Sequence, residues 1–390
     1  QNKCRRCTSK ISTPATVKAH SVNVLLSSSS YPQNAQDWRS RFIANMVAAL
    51  ARQSGLRVSV WAPPGDLPKD TTRAGTASDA TWLAGLATQG GMAHLLRTRR
   101  VLALSTVFSF LLRLHRAYRR DPIDVVHANW LQNALPLWGT RTPALITVLG
   151  SDFGLLRLPG MRLVLRAMLR QRRAILAPNA EWMAPTLQQI FGDLAEVRTV
   201  PFGVDDAWFD VVRVPAIDSV HHWIAVTRLT HAKLGDLFTW GDGLFGPTRQ
   251  LHLFGPMQET VEIPSWVHYH GPTHPAELLQ KWFPMARGLI TLSRHDEGRP
   301  QVMLEAMAAG LPVLASDLPA HRDMLQHQQT GWLATTRLEV EQGLNWLERP
   351  ENSRLTGELA RQWIKASIGT WDDCANRYAQ AYRDLQEPPA

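Results

Sequence analysis

Residues 293–313 read SRHDEGRPQVMLEAMAAGLPV, a stretch that leaves an apolar strand, crosses a polar loop and forms a helix before the next strand begins. Pro300 suits the first turn of this helix, and Gly310 follows its last apolar residues as a stop signal. Such a helix begins at the carboxyl edge of a parallel sheet, with free backbone N–H groups that can bind a diphosphate or a polar hydroxyl. The stretch therefore predicts an α/β fold with a polar ligand site in the loop that carries Glu297.

Short apolar runs, each followed by a loop, recur through both halves of the chain. They lie at residues 21–26, 57–62, 124–127, 144–149, 174–177, 197–201, 223–226, 249–254, 267–270, 288–292 and 312–315. Helical spacing of apolar residues between them, as at 39–52, indicates βαβ units and hence parallel sheets. We predict two Rossmann-like, doubly wound domains that face each other across a cleft.

Domain boundaries follow from where this periodicity starts and lapses. We predict a flexible extension at residues 1–20, a first domain at 21–210, a second domain at 216–360 and a C-terminal helix at 361–390 that crosses back to the first domain. A chain of 390 residues is long enough for two domains that each bury a core.

Composition limits the class of protein further. The formal net charge of +9 implies an anionic partner such as nucleic acid, phospholipid or a phosphorylated substrate. The three cysteines, Cys4, Cys7 and Cys374, form no spaced framework, so a reducing compartment is expected. No apolar run reaches the length of about 18 residues that a spanning helix needs.

Two glutamates, Glu297 and Glu305, are separated by seven residues, and the second is followed by AMAAGLPV. This pattern resembles the signature of the retaining glycosyltransferases of the GT-B fold, family 4. Thr227-Arg228-Leu229 followed by Lys233 resembles the arginine and lysine pair of the same family. Further similarity at residues 124–130, 201–205 and 330–333 extends the resemblance over most of residues 21–384.

The resemblance implies a role for each matching residue. Arg228 and Lys233 are expected to hold the donor diphosphate, and Glu305 the ribose. Glu297 is expected to orient the sugar together with the backbone amides of Gly298 and Arg299. The candidate donor-binding set is Arg228, Lys233, Glu297, Gly298, Arg299, Pro300, Gln301 and Glu305. No D-x-D motif stands at a strand end, so we expect no metal and no cofactor besides the nucleotide-sugar substrate.

His127 completes the candidate catalytic set of Glu297, Arg228, Lys233 and His127. It lies at the end of an apolar strand, from which an imidazole could reach the cleft. A histidine in this position can equally be a packing residue with satisfied hydrogen bonds, so both interpretations are kept.

Two departures from the family pattern concern the acceptor side, which in this family is the first domain. Leu149 stands where many members have a histidine, and we expect Ser151 or Asp152 to replace its contact. The loop at 27–38 lacks the usual glycine pair. Its polar candidates are Gln33, Asn34, Asp37 and Arg39, and of these Asn34 and Asp37 are the acceptor-side candidates.

Basic runs in the first domain suggest contact with a membrane surface. Seven arginines and no acid flank or follow the apolar residues 101–112, namely Arg97, Arg99, Arg100, Arg113, Arg116, Arg119 and Arg120. Six more lie at 155–173, namely Arg157, Arg162, Arg166, Arg170, Arg172 and Arg173. Such segments are typical of helices that bind anionic head groups, and the alternative is a core helix with a solvated basic face.

Taken with these features, the resemblance implies an anomer-retaining hexosyltransferase that acts on a glycan or lipid-linked acceptor in cell-envelope glycan synthesis, at the cytoplasmic face of the plasma membrane. One rival is a nucleotide-sugar epimerase or hydrolase of the same fold. Another is a basic nucleic-acid-binding protein, which is disfavoured because the basic runs are rich in leucine rather than interleaved aromatics. A third is a catalytically inactive scaffold. The nucleotide base, the sugar and the acceptor stay open.

Overall fold

The computed structural model describes residues 21–92, 95, 100–214, 220–295 and 297–387, with the backbone alone for 100–103. The predicted extension at 1–20, with Cys4 and Cys7, lies outside the described residues, as do Arg97 and Arg99. Part of the predicted domain boundary, residues 215–219, does so as well.

A seven-stranded parallel sheet forms the centre of the first domain, with strand order β3-β2-β1-β4-β5-β6-β7. Its strands are β1 Val22–Ser27, β2 Leu56–Trp61, β3 Thr71–Arg73, β4 Val125–Asn129, β5 Ala144–Val148, β6 Ala174–Pro178 and β7 Glu196–Val197. Every residue of β4, β5 and β6 is buried, because helices cover both faces of the sheet. Six of the strands were predicted from apolar runs, and the short edge strand β3 was not.

The helices of the first domain pack their apolar faces on this sheet. They are α1 Arg41–Ala51, α2 Ala77–Thr88, α3 Arg100–Arg120, α4 Leu131–Ala134, α5 Phe153–Leu156, α6 Met161–Leu169, α7 Ala184–Phe191 and α8 Asp206–Phe209, with 3-10 turns at Leu135–Leu137 and Glu181–Met183. In α1 the buried residues Ile43, Met46, Val47 and Leu50 recur at helical spacing, which is why this segment folds as an amphipathic helix.

A six-stranded parallel sheet, ordered β10-β9-β8-β11-β12-β13, forms the second domain. Its strands are β8 His221–Val226, β9 Arg249–Phe254, β10 Val267–Gly271, β11 Gly288–Thr291, β12 Val313–Ser316 and β13 Trp332–Ala334. The helices are α9 His231–Leu234, α10 Leu237–Gly241, α11 Pro275–Glu277, α12 Phe283–Met285, α13 Gln301–Ala308, α14 Pro319–Arg322, α15 Arg337–Leu347 and α16 Pro350–Ser367, with a π-helical turn at Leu278–Trp282. The two-domain parallel-sheet architecture predicted from the sequence is confirmed.

Strand order in this second sheet determines where a ligand can bind. The chain leaves β8 toward one edge of the sheet and leaves β11 toward the other, although these two strands are neighbours. The loops after their carboxyl ends therefore diverge and open a crevice between them. Arg228 and Lys233 follow β8, and Glu297 follows β11.

The C-terminal helix α17, Trp371–Gln386, crosses back to the first domain and packs against α1, β4, β5 and β6, as predicted. The stretch expected to be one helix from 361 is divided in two, since α16 ends at Ser367 and packs on α13 of the second domain. The break occurs because Gly369 has a φ of 75° and Thr370 forms a capping box with Asp373.

Candidate active site

A buried ion pair lies in the crevice between β8 and β11. The Nζ atom of Lys233, in α9, is 2.5 Å from Oε1 of Glu297, and the two side chains are 15% and 13% exposed. The hydroxyl of Ser293 also approaches the same Glu297 oxygen, at 3.4 Å. Two of the residues predicted to form the site are thus brought into direct contact.

Opposing effects set the pKa values of this pair. Burial alone would raise the pKa of the Glu297 carboxyl, but the charge and hydrogen bond of Lys233 lower that pKa below its ordinary value. Burial lowers the pKa of Lys233, while Glu297 opposes that change. The crevice therefore contains a fixed cation and a fixed carboxylate side by side, which is a suitable environment for a polyanionic ligand with polar hydroxyls.

Arg228 supplies a second cation next to this pair. Its Nη1 atom lies 3.5 Å from Oε1 of Gln258. Burial is the main cause of the lowered pKa of Lys233, and the positive charge of Arg228 lowers this pKa further by a smaller amount. The two cations predicted to act together are close enough to interact electrostatically. They lie on the β8 side of the crevice, opposite the loop after β11.

Glu305 lies in the second turn of α13 and is half-buried. Burial raises the pKa of its carboxyl to about 8, and the charge of Arg41, at the start of α1 in the first domain, opposes this increase. The carboxyl makes no hydrogen bond to any residue that the structure describes. A half-buried carboxyl that makes no hydrogen bond to the described protein is available to bind ligand hydroxyls.

The loop that carries Glu297 touches the first domain directly. The indole Nε1 of Trp182 donates to the carbonyl of Gly298 at 2.9 Å, and a Cβ on Gly298 would lie 2.2 Å from Oδ1 of Asn179. Gly150 of the first domain is so close to the same loop that a Cβ there would lie 2.4 Å from the amide nitrogen of Gly298. The two domains therefore meet at the loop itself.

The remaining candidate donor-binding residues have side chains that serve this domain contact. Arg299 is buried and forms an ion pair with Asp323. Gln301 donates through Nε2 to the carbonyl of Gly203 in the first domain, at 2.9 Å. Pro300 is the N-cap residue of α13, with φ −64° and ψ 118°. Only the backbone of Arg299 is therefore available to a ligand in the crevice.

Comparison with known proteins identifies the family to which the chain belongs. Residues 40–208 match the model of Glycosyltransferase Family 4, and residues 236–345 match that of Glycosyl transferases group 1, so that the two matches cover more than two thirds of the chain. The chain belongs to the family 4, group 1 glycosyltransferases. Among curated proteins, sequence comparison finds no significant match.

Solved structures show the same fold as this glycosyltransferase at low sequence identity. Sucrose-phosphate synthase from Thermosynechococcus elongatus has a TM-score of 0.68 at 17% identity, covering 93% of this chain and 99% of that one. Anabaena HepE in complex with UDP and glucose has a TM-score of 0.62 at 13% identity, covering 93% and 100%. The lipopolysaccharide outer core galactosyltransferase WaaB scores 0.58 at 14% identity, covering 92% and 99%. The GT-B fold predicted from the sequence is confirmed.

The prediction of a catalytic role for His127 is wrong. The imidazole is fully buried in the first domain, where its nitrogens lie 2.6 Å from the hydroxyl of Tyr382 and 2.6 Å from that of Thr147. Burial lowers its pKa to about 3, so it is a neutral imidazole at physiological pH. His127 ties β4 to β5 and to the C-terminal helix, which is the packing alternative considered above.

Asp152 also has a structural role rather than the acceptor contact predicted for it. Its two carboxylate oxygens accept the backbone N–H groups of Leu149 at 3.0 Å and Leu131 at 3.1 Å. The side chain is buried, which raises its pKa to about 6. Its neighbour Ser151 is exposed and stays a candidate.

The loop after β1 carries the other two acceptor-side candidates. Oδ1 of Asn34 accepts the backbone N–H groups of Gln36 and Asp37, and Asp37 pairs with Arg39 at 2.9 Å. Strand order reverses between β1 and β4 in the first sheet, so this loop opens at the ligand-binding edge of that domain. A role for Asn34 and Asp37 in acceptor binding stays a prediction.

His321 was not recognised in the sequence, although it lies near the ion pair. It is fully buried, its Nδ1 is 2.7 Å from the carbonyl of Ser316, and the charges of His321 and Glu297 affect each other's pKa. The sequence feature that could have identified His321 as a site residue is its position in α14, the helix that begins at the carboxyl edge of β12.

Proposed function

We propose that this glycosyltransferase moves a hexose-type unit from a nucleotide-diphosphate sugar to a glycan or lipid-linked acceptor in cell-envelope glycan synthesis, with retention of anomeric configuration. The observation that carries the proposal is the Lys233–Glu297 ion pair beside Arg228 at the switch point of the second sheet. Structures similar to this chain include HepE in complex with UDP-glucose, which is consistent with such a donor.

The chemistry of the transfer gives each of these groups a task. Negative charge grows on the diphosphate as its bond to the sugar breaks, and fixed cations at Lys233 and Arg228 stabilise that charge without reorganisation. Glu305 accepts hydrogen bonds from the ribose hydroxyls. Glu297 orients the sugar together with the amides of Gly298 and Arg299, and its position beside Lys233 holds sugar and diphosphate in one geometry.

We further propose that the reaction needs no divalent metal, with the side chains of Lys233 and Arg228 supplying the positive charge that the leaving diphosphate requires.

Stereochemistry and metal dependence can be measured before the acceptor is known, because transferases release some sugar to water. We expect a nucleotide sugar that raises the melting temperature of the protein to be hydrolysed slowly, with unchanged rate in EDTA. Proton NMR of the first-formed sugar should show the anomer of the donor. The inverted anomer would contradict retention, and a sugar altered at another carbon would favour the epimerase.

A membrane-facing surface is the second part of the proposal. On α3, Leu104, Phe108 and Leu112 lie four residues apart on one face and are 69%, 69% and 38% exposed. Within the described residues no helix is both long and apolar enough to span a bilayer. An exposed apolar stripe on an acid-free basic helix instead supports shallow binding at the inner face of the plasma membrane.

The surface extends beyond α3. The 3-10 turn Leu135–Leu137 packs against both α3 and α6, and Trp138, which follows it, is 50% exposed. On α6, which contacts this turn, Leu163 is also largely exposed. Tryptophan is favoured where an apolar layer meets water, so Trp138 suits a position at the lipid head groups.

The second basic run contributes less charge to this surface than the sequence suggested. Arg166 pairs with Asp193 at 2.5 Å, and Arg172 is buried against the carbonyls of Leu137 and Thr140. Arg113 of the first run pairs with Asp79. These contacts engage the guanidinium groups of Arg113, Arg166 and Arg172 within the protein, which leaves them less available to lipid head groups.

Replacing Leu104 and Phe108 together with aspartate should abolish most membrane binding. Each substitution removes an apolar side chain that would be buried in the bilayer, so we expect the partition coefficient between vesicles and water to fall about tenfold per residue. The measurement is sedimentation with phosphatidylcholine vesicles containing phosphatidylglycerol at low salt. Leu338→Asp is the control, since Leu338 is 61% exposed on the second domain. Equal losses in both variants, or equally strong binding to random DNA, would contradict the proposal.

A further inference from the structure

Asp323 of the second domain connects the two domains at the edge of the crevice. It follows α14, and its Oδ1 and Oδ2 atoms accept the backbone N–H groups of Trp182 at 3.1 Å and Glu181 at 3.3 Å. Both amides belong to the 3-10 turn Glu181–Met183 of the first domain. The same carboxylate forms the ion pair with Arg299.

Arg299 belongs to the loop that carries Glu297, so Asp323 joins this loop to the first domain. Trp182 adds a second, direct contact between this loop and the first domain, because its indole N–H donates a hydrogen bond to the carbonyl of Gly298 at 2.9 Å. One turn of the first domain therefore contacts the loop twice, once directly and once through Asp323.

Burial makes this connection sensitive to the loss of one partner. The side chains of Arg299 and Asp323 are 4% and 7% exposed. The Nε and Nη1 atoms of Arg299 have no hydrogen-bond partner among the described residues, and Asp323 is the carboxylate with which it pairs. Removing that carboxylate leaves a buried guanidinium uncompensated, and separating the domains is the simplest way to return it to water.

We propose that Asp323 is a positioning residue that couples closure of the two domains to the geometry of the sugar-binding loop. When the domains meet, the amides of Glu181 and Trp182 fix the carboxylate, which fixes Arg299 and with it the amides of Gly298 and Arg299 beside Glu297. When they separate, the loop loses both attachments. This inference rests on the proposed function of that loop as the donor-sugar site.

The coupling predicts that a change at Asp323 affects turnover more than nucleotide binding. Asp323→Asn should lower kcat about 10- to 100-fold, because misplacement of about 1 Å costs that much in rate. The Kd for UDP or GDP, whichever raises the melting temperature, should change less than about threefold, since the carboxylate of Asp323 binds Arg299 and the amides of Glu181 and Trp182 rather than the proposed diphosphate and ribose site. Trp182→Phe removes only the indole N–H and should produce the same pattern with a smaller loss.

The position of the domains can be measured without any substrate. Small-angle X-ray scattering of ligand-free Asp323→Asn should give a larger radius of gyration than the unmodified chain. Asp317→Asn is the matched control, because Asp317 pairs with the exposed Arg322 within the same segment. It should leave both the scattering and kcat unchanged.

Separate outcomes test this inference and the proposed function. An unchanged radius of gyration and unchanged kcat in both Asp323→Asn and Trp182→Phe would overturn the coupling. Failure of the unmodified chain to bind or cleave any nucleotide sugar would overturn the proposed function instead, while the scattering comparison would still decide whether Asp323 holds the domains together. If Asp323→Asn fails to fold, Trp182→Phe alone decides the question.

Discussion

Lys233→Ala is expected to lower kcat about 1,000-fold, which is the scale measured when one preorganised charge stabiliser is removed from an active site. The ammonium lies in the crevice 2.5 Å from Glu297. Its loss removes a charge that is proposed to stabilise the leaving diphosphate. It also leaves Glu297 buried without its main counter-charge, so the pKa of that carboxyl should rise above its ordinary value.

Two further variants separate chemistry from stability. Lys281→Ala removes an exposed lysine of the same domain and should leave kcat unchanged. The double change Lys233→Met with Glu297→Gln removes both buried charges, so it should recover the melting temperature lost in Lys233→Ala without recovering turnover. A Lys233→Ala protein that transfers sugar at the normal rate would disprove the proposed role of Lys233.

Gly150→Ala should reduce transfer about 100-fold, because the added methyl group prevents the domains from meeting at the sugar-binding loop. Its Cβ would lie 2.4 Å from the amide nitrogen of Gly298 and 2.5 Å from the carbonyl carbon of Glu297. Both are backbone atoms that cannot rotate away. The Glu297 carboxyl and the Gly298 amide must then shift relative to the first domain. Turnover with a nucleotide sugar is the measurement.

Gly139→Ala provides the control for backbone strain. Gly139 has a φ of 75°, similar to the 89° of Gly150, but a Cβ there meets no atom within 4 Å. Both changes should cost about 1 kcal/mol in stability for the left-handed backbone. Only Gly150→Ala should lose turnover, and equal activity of the two variants would show that the close approach at Gly150 does not matter for transfer.

Most of the fold could be predicted from local patterns. Strands such as β5 were located because apolar and β-branched residues run uninterrupted between polar loops. β3 was missed because it has three residues, Thr71–Arg73, none of which is buried. β13, Trp332–Ala334, was also missed, because an apolar run of three residues is too short to be recognised as a strand.

The meeting of Lys233 and Glu297 was predictable because both follow the carboxyl ends of neighbouring parallel strands. The error at His127 has the opposite cause. Its partner Tyr382 lies 255 positions further along the chain, on a helix that crosses back from the second domain. No local pattern indicates whether a histidine at a strand end will face a cleft or a helix that arrives from elsewhere.

Sequence alone determined the two parallel-sheet domains and located the residues proposed to carry the donor-site chemistry, because strand length, helix period and the spacing of glutamates and cations are local properties. Only the tertiary structure decided which polar groups face the crevice and which hold the domains together. Trp182 and Gly298 are 116 positions apart, yet they form one hydrogen bond at the loop beside Glu297. Such contacts depend on how two separately folded surfaces meet, and packing complementarity between distant segments leaves no periodic trace in the chain.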